Sequence, residues 1–151
     1  MVSKITKKTD LLMLTLTKYF CNEKNYKKIL PILEGKDKIS LRIIDWFVTN
    51  YSKKNNITYI VRGNRFNVYL DYKAQLKAYS KKQFDPFCRR ERINFKFDKK
   101  REIETTIGQL NFFKWAIENN IIMYINNNYN DIYNDMNIKI VKPINIDKRI
   151  D

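Results

Sequence analysis

No histidine occurs anywhere in the 151 residues, and there are only two cysteines, three glycines and three prolines. Without histidine the commonest general base is missing, and the Ser-His-Asp and Cys-His arrangements are excluded. Cys21 and Cys88 are too few to complete a structural zinc site within one chain, so no metal is expected. Two cysteines without a leader segment fit a reducing compartment. The glycines leave no GxxxxGK[ST] loop to cradle a nucleotide phosphate, and no cofactor or small-molecule substrate is implied. Long apolar runs are missing too. LLMLTL (11–16) follows a basic segment, but it is short, broken by threonine and lacks a small-residue cleavage site. Nothing approaches the roughly 18 consecutive apolar residues of a spanning helix, so the expectation is an intracellular protein without membrane contact.

Acidic residues are also scarce. Sixteen Asp/Glu stand against 30 Lys/Arg, a formal charge of +14, with an isoelectric point near 9.7. Such a balance selects nucleic acid, an anionic surface or an acidic protein as partner. The charge is unevenly placed. Residues 72–101 carry eleven Lys/Arg and three Asp/Glu, a net of +8 in thirty positions, whereas 102–151 carry five and seven, a net of −2. Within the basic stretch Tyr72, Tyr79, Phe84, Phe87, Phe95 and Phe97 interleave the cations. Lysine and arginine bind phosphate, and exposed aromatic faces stack bases. The candidate nucleic-acid-binding residues are therefore Lys73, Lys77, Lys81, Lys82, Arg89, Arg90, Arg92, Lys99, Lys100 and Arg101, joined by Arg62 and Arg65 upstream. Phe84 and Phe87 are the candidate base-stacking residues. The alternative is that the aromatics are core and the charges an ordinary solvated face. Catalytic candidates are lacking. Glu102 and Glu104 sit beside a basic run next to a helix start and read as capping or charge balance rather than metal binding. Cys88 lies next to Arg89 and Arg90, which would lower its thiol pKa, but without a base it reads as a structural thiol.

Along the chain, 10–21 reads as a helix with Thr9 or Asp10 as N-cap, and 24–34 as a second that Pro31 kinks or divides before Gly35. Residues 39–53 repeat Leu41, Ile44, Phe47, Val48 and Tyr51 at helical spacing, with Ser40 or Asp37 as cap. ITYIV (57–61) and FNVYLDY (66–72) read as strands, joined by a tight turn centred on Gly63-Asn64. Three helices followed by a hairpin with two arginines at its tip share the pattern of a winged helix-turn-helix. Residues 72–82 extend the second strand or turn into a basic helix. Asp85-Pro86 forces a turn, INFKF (93–97) reads as a third strand, and a helix spans about 106–125. Thr106-Ile107-Gly108-Gln109 matches a capping box at its start. Trp115 falls at the margin of its apolar stripe, and 131–136 adds a further helical turn. The expected fold class is α+β, with an N-terminal helix group, a small antiparallel sheet of about three strands and a long C-terminal helix packed on the sheet. Residues 1–136 form the single globular domain, and 137–151 an extended or loosely ordered tail.

Three segments, ISLRIIDWFVTNYSKKNN (39–56), FNVYLDYKAQLKAYSKKQFDPFCRRERINF (66–95) and TTIGQLNFFKWAIENNIIMYI (105–125), resemble a family of small basic proteins of nucleocytoplasmic large DNA viruses. The resemblance covers about 39–136 and implies a virus-encoded protein acting in the host cytoplasm or viral factory, or packaged in the virion. It implies no catalytic or binding residues. With the charge pattern, the expectation is a non-enzymatic nucleic-acid-binding protein of weak sequence preference, its partner DNA or RNA. The rival is a structural or adaptor protein of the particle whose basic face meets an acidic viral protein.

Overall fold

The computed structural model describes residues 8–80, 82–88 and 91–138. Helices α1 (Lys8–Phe20) and α2 (Glu23–Leu33) come first; the Asn22 side chain caps α2 by accepting from the Lys24 N–H. Helix α3 (Leu41–Trp46), capped by Ser40, runs on through a π-helical turn (Phe47–Tyr51) into the short α4 (Ser52–Lys54). Strands β1 (Thr58–Val61) and β2 (Asn64–Asn67) form a hairpin that leads directly into α5 (Val68–Ala78). A second hairpin, β3 (Ile93–Lys96) with β4 (Glu102–Thr105), precedes α6 (Ile107–Glu118) and α7 (Ile121–Asn127). The last helix, α8, occupies 129–138.

The α+β class holds, and the differences from expectation lie in the elements. Helix α1 already includes Lys8, so Thr9 and Asp10 lie inside it rather than capping it. Pro31 sits in the last turn of α2 without dividing it. The alternation through Val68, Leu70 and Tyr72 is helical, not extended. Asn67 accepts the Leu70 N–H at 3.0 Å as N-cap, Val68 and Tyr72 are buried one turn apart, and Leu70 is left 66% exposed. The first hairpin turns on Arg62-Gly63, both at positive φ, which is the twist a two-residue loop requires; Val61 pairs with Asn64. The strands form two separate two-stranded sheets rather than one of three. Strand β4 was hidden in EIET, whose glutamates face solvent while Ile103 packs opposite Phe95 and Glu102 opposite Lys96. The helix expected over 106–125 breaks at Asn120, which takes φ +58° between α6 and α7. Helical structure also continues to residue 138, past the expected start of the tail; 139–151 lie outside the described residues.

Helix α6 is the axis of the molecule. Leu110, Phe112, Phe113, Trp115, Ala116 and Ile117 are buried around its whole circumference. It packs chiefly against α1, α2 and α7 instead of lying across a sheet. Each large side chain so buried contributes on the order of 2 kcal/mol. Trp115 is central, not marginal. Its ring contacts Phe66, Tyr72, Phe84 and Phe112, and its indole N–H donates to Asp71 Oδ2 at 2.6 Å, which offsets the cost of burying that polar group. Buried residues from Leu16 to Met136 form one continuous core. No helix among the described residues is long and apolar enough to cross a membrane.

Candidate functional site

Asp85-Pro86 makes the expected turn, and its attachment decides how the neighbouring cations are held. Asp85 Oδ1 accepts the Phe87 N–H at 2.9 Å and the Cys88 N–H bonds back to the Asp85 carbonyl, closing a compact loop. That loop is fastened to the first turn of α6. The Asp85 N–H donates to the Gly108 carbonyl at 3.1 Å, Gln109 Nε2 donates to the Pro86 carbonyl at 2.8 Å, and Thr106 Oγ1 donates to the Cys88 carbonyl at 3.2 Å. One turn on, Asn111 Nδ2 holds the Gln83 carbonyl at 2.8 Å. Helix and loop approach so closely that a Cβ at Gly108 would stand 2.6 Å from the Lys82 carbonyl oxygen and 3.1 Å from Cys88 Cβ. Glycine is therefore required there by proximity.

These bonds alter the expected capping box. Thr106 does cap α6, accepting the Gln109 N–H at 3.1 Å. Gln109, however, does not reach back to the cap. Its Oε1 accepts from Thr105 Oγ1 at 2.6 Å while its amide nitrogen holds Pro86. The motif is legible as a helix start, and its glutamine belongs to the clamp on the loop.

The aromatic residues of the basic stretch are mostly core. Tyr72, Phe84, Phe95 and Phe97 are buried and Tyr79 half-buried. Phe84, 1% exposed, sits among Tyr72, Tyr79, Phe112 and Trp115, so it cannot stack a base: its faces are covered by other rings. Phe97 packs with Phe20, Tyr26 and Phe95. Phe87 differs. It rides the outside of the clamped loop and is 38% exposed.

The cations separate into pinned and unpaired sets. Arg101 is pinned: its guanidinium donates to Asp98 Oδ2 at 3.0 Å and lies over the Tyr26 ring. The Tyr26 hydroxyl donates to the same oxygen at 2.5 Å, and the Lys100 and Arg101 N–H groups both bind Asp98 Oδ1 at 2.8 Å. These donors, the tyrosine first, hold the Asp98 carboxyl down at about 2. Arg62 is pinned as well. It donates to the Glu118 carbonyl at 2.7 Å and to Asn119 Oδ1 at 3.2 Å, closing the C-terminal end of α6. The first hairpin thus folds its tip back onto the core and is no projecting wing. Arg92 forms an exposed pair with Glu104 at 3.3 Å. Lys73 and Lys77 stand one turn apart on the exposed face of α5, flanking Leu70 and Ala74. Lys82 flanks the clamped loop, Lys99 and Lys100 occupy the tip of the second hairpin, and Arg65 is exposed on β2. Among the described residues none of these six forms an ion pair. Lys81, Arg89 and Arg90 lie outside the described residues.

The structure therefore does not gather all the sequence candidates into one patch. The loop sits at the N-terminal end of α6 and Arg62 at its C-terminal end, about 18 Å apart along a helix of twelve residues. Beside the loop, a cleft of about 220 Å³ opens between Phe87, Pro86 and Cys88 on one side and Leu33 and Leu41 on another, with Arg92, Glu104, Thr105, Thr106 and Gln109 completing it. Sequence reading missed this cleft because Leu33 and Leu41 come from distant parts of the chain. Among the described residues no buried side-chain nitrogen or oxygen lacks a partner, and no cluster of three His, Cys, Asp or Glu side chains gathers that could hold a metal ion. Such a site can offer positive charge, an aromatic face and a shaped recess of mixed polar and apolar lining.

A family of unknown function, DUF7197, matches residues 2–149, well beyond the segments that carried the sequence resemblance. Uncharacterized protein L507 of Acanthamoeba polyphaga mimivirus is 45% identical over 129 residues, which cover 79% of this chain and 50% of that protein. The chain spans about half the length of that relative. No solved structure matches the chain.

Proposed function

We propose, on the premise that the chain belongs to DUF7197, that this protein binds nucleic acid without catalysing a reaction and grips the phosphate backbone with weak sequence preference. One observation carries this reading. Among the described residues, the bonds that fasten the loop between the cations of 72–82 and those of 92–101 to α6 come from neutral donors, namely Thr106, Gln109, Asn111 and the Asp85 amide. These bonds occupy no cationic side chain. Among the described residues Lys82 has no ion pair and stands on an anchored backbone, and Lys73 and Lys77 on α5 with Lys99 and Lys100 at the hairpin tip add unpaired charge. Fixed backbones lose less freedom on binding, which favours such an arrangement over a mobile basic tail. Weak sequence preference follows if the contacts are made to phosphates, which carry no sequence information. In this reading the protein works in the infected cell or in the particle, on DNA or RNA.

An electrophoretic shift panel of single- and double-stranded DNA and RNA tests the reading. Affinity should fall linearly on a log–log plot against salt, with a slope set by the number of phosphates neutralised. Absence of binding to every probe at low salt would overturn the proposal. A shallow salt response together with capture of an acidic viral protein would favour the adaptor role.

A further inference from the structure

The cleft beside the clamped loop has features that phosphate binding alone does not require. Its Phe87 ring is the only aromatic of the stretch 72–101 that is exposed rather than buried or half-buried. Leu33, Leu41 and Pro86 give the recess an apolar part beside Phe87, while Thr105, Thr106 and Gln109 with the paired Arg92 and Glu104 make the rest of its lining polar. The volume, about 220 Å³, suits one planar heterocycle. The ring is held firmly, because both neighbours of Phe87 are tied to α6: Pro86 through Gln109 and Cys88 through Thr106. An exposed phenylalanine on a flexible loop would fold down against the nearest apolar surface. Here the anchoring keeps it at the mouth of the recess. Arg92 immediately precedes β3 and is half-exposed, so it can exchange Glu104 for a phosphate while that phosphate's base enters the cleft.

We infer that this cleft seats a single unstacked nucleobase of a single-stranded nucleic acid, stacked on Phe87, with the adjoining phosphate on Arg92. The inference rests on the nucleic-acid reading above and sharpens it, because a base within a duplex cannot enter such a recess without leaving its stack. It names single strands as the preferred ligand. Stacking on an aromatic ring tolerates any base, which agrees with weak sequence preference.

The test compares an oligothymidylate with a deoxyribose-phosphate oligomer of equal length that carries no bases, using the full chain and its Phe87→Ala and Phe87→Trp variants. Both ligands present the same phosphates. The native protein should bind the base-bearing strand about tenfold more tightly, Phe87→Ala should lose that preference, and Phe87→Trp should keep it. The tryptophan of Phe87→Trp should also be quenched by the base-bearing strand and not by the bare backbone. Equal affinity of the native protein for both ligands would overturn the inference and leave backbone binding intact. Binding of neither ligand, and of no other nucleic acid, would overturn both readings. Displacement of the strand by thymidine monophosphate at matched base concentration would reassign the cleft to free nucleotides and overturn the single-strand inference. Thermal melts of both variants guard against misreading, since Phe87 is partly exposed and its replacement should leave the fold in place.

Discussion

The two ends of α6 each hold a turn that carries positive charge, and they hold it by opposite means. At the C-terminal end, Arg62 of the first hairpin gives its guanidinium to the Glu118 carbonyl and the Asn119 side chain. Free carbonyls and the negative end of the helix dipole gather there, so a cation is the natural fastener. At the N-terminal end the dipole is positive and the helix offers N–H groups. A cation there gains nothing, and the loop 84–88 is secured by hydroxyl and amide groups instead. One helix thus converts Arg62 into a structural part and leaves Lys82 without an ion pair among the described residues. A positively charged residue in a turn is not evidence of a binding site until its partner is known.

Replacing Gly108 by alanine should break the comparison most severely. Helix propensity alone favours alanine by about 1 kcal/mol. The Cβ, however, would press on the Lys82 carbonyl, which is backbone and cannot turn aside. Net destabilisation of about 2 kcal/mol is expected in a chemical-denaturation curve, with loss of binding as the loop detaches. A gain in stability would mean that the loop is not clamped as described. Arg62→Ala should cost about 1–2 kcal/mol, since it orphans a carbonyl at the helix end and removes charge-assisted bonds. Its binding to nucleic acid should change only with the folded fraction. Thr106→Ala should cost about 1 kcal/mol because the helix start goes uncapped. It also releases the Cys88 carbonyl, so alkylation of the Cys88 thiol, measured by mass spectrometry under native conditions, should quicken.

These residues also show what was legible in the sequence. The helix starts at Ser40 and Thr106 were readable because capping is local, and the turn at Asp85-Pro86 because proline restricts its neighbour. The role of Gln109 was not readable, since its partner Pro86 lies 23 positions away. Strand FNVYLDY was misread because a period of two and an i, i+4 pair share Val68 and Tyr72; Asn67 settled the choice by capping. Most aromatics of the basic stretch proved to be core because each faces an element that composition cannot place, Phe84 against α6 and Phe97 against α1 and α2. The pairing of Arg62 and Arg101 was hidden for the same reason, while net charge, which depends on no tertiary arrangement, was available from the outset.

A smaller effect concerns the second hairpin. Asp98 titrates near 2 in the folded protein because Tyr26, two backbone N–H groups and Arg101 favour its charged form. The unfolded value is about 4. A depressed folded pKa stabilises the fold above the unfolded value, and that stabilisation is lost as pH falls from about 4 towards 2. Native hydrogen exchange in this window should show the loop 97–101 opening as pH drops, and Asp98→Asn should already be open at neutral pH. An exchange rate in the native loop that follows only the intrinsic pH dependence would show that Asp98 does not hold it.

The most direct test sets the two ends of α6 against each other in one binding experiment. Lys82→Gln combined with Arg92→Gln, and Arg62→Ala separately, are titrated with a single-stranded oligonucleotide at several salt concentrations. The double variant should melt within about 1 kcal/mol of the native protein, because exposed charges contribute little to stability. Its log–log salt slope should be shallower by about 1.4 units, roughly 0.7 for each phosphate of a single strand that is no longer neutralised. Arg62→Ala should melt earlier with an unchanged slope. The opposite pattern, an unchanged slope in the double variant and a shallower one in Arg62→Ala, would contradict the account and move the phosphate-binding site to the other end of the helix.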